Sequence, residues 1–72
     1  MGTQKSRREK VNWFIEILTA VKRKGIKAAN KKELLAMFAN ELGSTSRTGN
    51  EILYMLSVTG AVTIKENEVW LN

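Results

Sequence analysis

The sequence predicts an α+β chain, mainly helical, in which three helices precede a C-terminal β-hairpin. Three observations predict it. Apolar residues recur at helical spacing over residues 7–24, 31–42 and 46–58. Stop and cap residues separate these stretches: Gly25, then Gly43 followed by the hydroxyl run Ser44-Thr45-Ser46. After Gly60 the pattern changes to strict alternation over residues 61–71, interrupted by Glu66-Asn67. Seventy-two residues, 1–72, make one domain, near the size where a single core is only marginally sufficient.

Residues 1–6 read as a basic, flexible arm. Lys5, Arg7, Arg8 and Lys10 either track phosphates or keep the terminus solvated. Basic residues at a helix start oppose the macrodipole, which favours the arm. Met1, Gly2 and Ser6 formally fit an N-myristoylation pattern, but the pattern is permissive and nothing else points to a membrane. Ser6 and Glu9 have the spacing of a capping box for the first helix.

Within that helix, Val11, Phe14, Ile15, Leu18 and Val21 form the main stripe. Trp13, Ile17 and Ala20 widen the apolar arc to about 220°, more than one-sided burial requires. Two readings stand side by side. Either Trp13 and Ile17 pack under the hairpin of the same chain, or Trp13, Ile17 and Ala20 form a two-fold interface with a second copy. Lys22-Arg23-Lys24 suits the helix C-terminus through the dipole and needs no function to account for it.

Ile26-Lys27-Ala28-Ala29 is too short to classify, and reads as an extended edge beside the hairpin or as a connector. Asn30 precedes Glu33 by three residues, so it can cap the second helix while Glu33 reaches back to the Asn30 amide. Leu34, Leu35, Phe38 and Leu42 form that helix's apolar stripe. Lys31 and Lys32 again oppose the dipole, a conflict that phosphate oxygens at the helix end would remove.

A helix closed by Gly43, a hydroxyl-rich turn and a further helix make a helix-turn-helix pattern. At 100° per residue, Gly49, Ile52, Leu53 and Leu56 share one face of the third helix, bordered by Thr48 and Met55. Arg47, Asn50 and Tyr54 gather opposite. Arg can pair with guanine edges and Asn with adenine, and both bond phosphates. An ordinary solvated helix face has the same polarity.

The hairpin register follows from alternation. A two-residue turn places Lys65 opposite Glu68, Ile64 opposite Val69, Thr63 opposite Trp70 and Val62 opposite Leu71. The aliphatic pairs then share one face, and a one-residue slip would destroy that agreement. Trp70 falls on the outer face. Packing over the Trp13 edge is the favoured reading, with an interface or ligand stacking as alternatives.

Composition excludes several functions. The chain has no cysteine, histidine or aspartate, so the usual nucleophile–base pairs and metal clusters cannot be assembled. No enzymatic activity, cofactor or small-molecule substrate is expected. No apolar run approaches the roughly 20 residues of a membrane span, and a reducing, cytoplasmic setting fits the missing thiols. Charge is unevenly spread within the net of +5: residues 1–36 carry a balance of +7 and residues 37–72 one of −2. A basic half this concentrated can attract a polyanion, although small soluble domains often carry such a charge for solubility alone.

In its order of elements, residues 6–71 resemble the winged helix-turn-helix family of DNA-binding proteins. The segments ELLAMFANELG, STSRTGNEILYMLSVTGAV and TIKENEVWL carry the resemblance, and their pattern looks like small archaeal and archaeal-virus regulators. The resemblance implies a recognition helix over residues 46–58 in the major groove and the hairpin as a wing near the backbone or minor groove. By position, Ser46, Arg47, Asn50 and Tyr54 would meet bases and phosphates. Lys31 and Lys32 would meet phosphates, with Lys65 and Asn67 at the wing tip. Gly49 departs from the family, which usually buries a β-branched residue there, and close approach of the preceding helix is the expected return. One arginine, no lysine and Glu51 on the recognition helix, with Glu66 and Glu68 on the wing, leave phosphate neutralisation to the N-terminal half.

Three functions are therefore expected, in this order. The first is a sequence-specific transcriptional regulator on double-stranded DNA, dimeric through its first helix. The second is a non-specific architectural DNA-binding protein. The third is a winged helix that docks a protein partner in a larger assembly.

Overall fold

The computed structural model describes residues 6–72. They form α1 (Arg7–Arg23), β1 (Ala29–Asn30), α2 (Lys31–Leu42), α3 (Ser46–Thr59), β2 (Val62–Lys65) and β3 (Glu68–Leu71). This is an α+β arrangement of three helices with an antiparallel sheet in the order β1-β3-β2, consistent with winged helix-turn-helix topology. The expected arm, apart from Ser6, lies outside the described residues, as does the rest of the acylation pattern.

Each helix begins where a side chain replaces a missing backbone partner. The Glu9 N–H donates to Ser6 Oγ at 3.2 Å and the Ser6 N–H donates to Glu9 Oε1 at 3.1 Å, a complete capping box for α1. At α2 the Glu33 N–H donates to Asn30 Oδ1 at 3.0 Å, but the return bond from Glu33 does not form. Asn30 is also the end of β1, paired with Glu68. At α3 the cap is Thr45, whose Oγ1 accepts from the Thr48 N–H at 3.2 Å. Gly43, at φ 61°, takes the left-handed conformation that closes α2 and reverses the chain.

Phe14 and Leu18 of α1 meet Leu34 and Phe38 of α2, Ile52, Leu53 and Leu56 of α3, and Val62 and Val69 of the hairpin. Phe14 and Phe38 stack with centroids 4.8 Å apart, and Trp13 meets them edge-on at 5.1 and 5.6 Å. Truncating a phenylalanine in such a cluster costs about 3–5 kcal/mol.

The hairpin has the register that alternation predicts: Val62↔Leu71, Thr63↔Trp70, Ile64↔Val69 and Lys65↔Glu68. β1 adds Ala29↔Val69 and Asn30↔Glu68 on the other side of β3, so only the last residue of the 26–29 stretch is strand. Asn72 closes the open end, donating from Nδ2 to the Gly60 carbonyl at 2.9 Å and accepting from Thr63 Oγ1 at 2.6 Å.

Two expectations about tryptophan are corrected. Trp13 packs on α2 and not under the hairpin: its ring neighbours are Phe14 and Phe38, and its indole N–H donates to Glu41 Oε1 at 3.2 Å. Trp70 consequently does not cover the Trp13 edge. It is half-buried on the outer face, bordering a cleft of about 340 Å³ with Lys22 and Ile26 at the end of α1. No helix among the described residues is long and apolar enough to cross a membrane.

Candidate nucleic-acid interface

α3 is held against α2 by an unusually close approach. A Cβ on Gly49 would lie 2.8 Å from Phe38 Cδ2 and 2.9 Å from Leu35 Cδ2. With Gly49, Ile52, Leu53 and Leu56 buried, the opposite face of α3 is directed outward by the same rotation. Ser46, Arg47, Asn50 and Tyr54 are all exposed there. None of these four side chains donates to or accepts from another described side chain, so their polar groups are open to a ligand. Arg47 and Tyr54 are separated by two turns, or about 10 Å along the axis, a span of about three base pairs of B-DNA.

The remaining predicted residues collect at one end of the sheet. The Lys31 N–H donates to the Asn67 carbonyl at 2.8 Å, joining the start of α2 to the turn of the hairpin. Asn30, Glu68 and Lys65 then lie in one row across the three strands. Lys31, Lys32, Lys65 and Asn67 are thus brought to one region, with Lys32, Lys65 and Asn67 exposed and Lys31 half-buried. Glu66 and Glu68 share it and offset much of its charge. The hairpin turn is therefore docked on α2.

The three residues expected at a dimer interface divide. Trp13 is engaged within its own chain, Ile17 is half-buried against the core, and Ala20 is exposed.

Two residues absent from the expected interface stand beside it. The Arg7 guanidinium donates to Met55 Sδ at 3.9 Å, so this cation lies over the flank of α3. Its unfavourable place in the first turn of α1 is the signal of this that the sequence carries. Val58 is 67 % exposed and Tyr54 68 %, on one line of α3 with Arg47. The helical wheel puts Val58 there, but polarity alone directs attention past an aliphatic side chain.

Among the described residues no cluster of acidic, histidine or cysteine side chains is arranged to hold a metal ion. Comparison with known proteins finds no matching family model, no matching curated protein and no matching solved structure.

Proposed function

We propose that this chain is a winged helix-turn-helix protein that binds double-stranded DNA inside the cell as a sequence-specific transcriptional regulator. One observation carries the reading: α3 presents Arg47, Asn50 and Tyr54 on one line, with no side-chain partner among the described residues, at the outer face of a glycine-tightened helix pair. Laid in the major groove, Arg47 reads guanine O6 and N7, Asn50 reads adenine, and Tyr54 with Ser46 bonds phosphate oxygens. Val58 meets a thymine methyl. Lys31, Lys32 and Lys65 neutralise flanking phosphates, with Asn67 beside them, and Arg7 adds charge next to α3. Regulation follows from occupancy of the site.

A second reading is docking of a protein partner on α3, favoured by the exposed Tyr54 and Val58 beside Glu51. Anisotropy titrations of labelled duplexes over a salt series separate the two. DNA binding predicts a steep fall in affinity with salt, and Lys31→Ala/Lys32→Ala weakens every duplex alike while reducing the slope by about two. Absence of binding at low salt overturns the DNA reading and leaves the protein partner.

A further inference from the structure

Glu51 is exposed on α3, within the outward stripe that Arg47, Tyr54 and Val58 form. At 100° per residue it lies about 40° from Arg47 and about 20° from Val58, nearer than Asn50 to the line opposite the buried residues. The fold itself does not account for a carboxylate there. Glu51 stands beyond the first helical turn, outside the reach of the dipole that favours an acid. Arg47 precedes it by four residues, the weaker order for an ion pair on a helix. Neither Arg47 nor Arg7, which reaches Met55 one turn further on, forms an ion pair with it. Its carboxylate has no hydrogen-bond partner among the described residues.

We infer, on the reading that α3 lies in the major groove of DNA, that Glu51 selects a cytosine in the bound duplex by accepting a hydrogen bond from its N4 amine. An ionised carboxylate only accepts. Guanine O6 and N7 and thymine O4 are acceptors and repel it, as do the phosphates. Two base edges in the groove offer it a donor, adenine N6 and cytosine N4. Adenine sets its N7 acceptor beside the amine, which repels the second carboxylate oxygen, whereas cytosine sets no acceptor there. Cytosine is therefore the base that fits.

Glu51 follows Arg47 by about 6 Å along the helix axis. The cytosine accordingly falls within about two base pairs of the guanine that Arg47 reads. The acid weakens binding to every duplex, and weakens it least where that cytosine stands.

Selection of bound duplexes from a random-sequence pool, followed by anisotropy titration of the enriched duplex and its single-position variants, tests this role. Wild type is expected to enrich a cytosine within about two base pairs of the position that Arg47→Ala relaxes. Exchanging that base pair is expected to weaken binding by about tenfold. Glu51→Ala, a change at an exposed position, keeps the circular-dichroism spectrum, binds random duplex more tightly and loses the cytosine preference. Glu51→Gln, which keeps the side-chain length, moves the preference to adenine, whose N6 and N7 an amide meets together. An enriched motif without such a cytosine overturns the proposal and leaves base reading to the other residues of α3. So does a folded Glu51→Ala or Glu51→Gln variant that prefers cytosine as strongly as wild type; tighter binding to all duplexes by one factor would make Glu51 a solvated charge only. A pool with no enrichment overturns the DNA reading itself, and the role of Glu51 with it.

Discussion

Gly49 sets the distance between the two helices on which the proposed interface depends. Alanine there gains about 1 kcal/mol in helix propensity. Against this, its methyl would meet Leu35 and, more rigidly, the Phe38 ring, which is fully buried and stacked on Phe14. Overpacking of that kind costs about 1–3 kcal/mol. Gly49→Ala is therefore expected to destabilise the chain by about 1 kcal/mol, read as a lower urea midpoint at unchanged slope. An increase in the midpoint would show that Phe38 and Leu35 yield without strain. The close approach was legible in the sequence, since a glycine on the buried face of an amphipathic helix leaves room for a neighbour that a side chain would fill. Trp13 was not. A helical wheel gives the direction of a side chain and not the neighbour it meets, and only the tertiary packing shows that α2 lies on that side.

At the scale of elements, the hairpin was the most readable because a period of two combined with a two-residue turn admits one register. β1 was not readable. Two residues carry no periodicity, and Ala29–Asn30 become a strand only because β3 lies beside them. A two-residue turn demands positive φ at its first central residue, and Glu66 has φ 57°, where an L-residue costs about 1–2 kcal/mol. Glu66→Gly relieves it at the expense of chain entropy, for a net gain of up to about 1 kcal/mol in thermal or urea unfolding. The same change removes an anion near Lys31, Lys65 and Asn67, so duplex binding should tighten in parallel. A variant that is less stable would contradict the strained-turn account, and one that binds DNA no better would remove the hairpin turn from the interface.

For the molecule as a whole, the +7 balance of residues 1–36 and the −2 of the remainder become a spatial arrangement rather than two halves. The Arg7 guanidinium reaches Met55 of α3, and the Lys31 backbone N–H donates to the Asn67 carbonyl of the hairpin turn, so residues of the basic half lie beside elements of the acidic half. That redistribution was hidden in the sequence because it depends on contacts between residues far apart in the chain. Whether α3 reads base edges is measured by selection of bound duplexes from a random-sequence pool. Wild type is expected to enrich a defined motif. Arg47→Ala should lose preference at one position, about 1–3 kcal/mol there, while retaining its affinity for random duplex. A pool that emerges without enrichment from the wild-type chain, or a motif unchanged by Arg47→Ala, would show that α3 does not read base edges through Arg47.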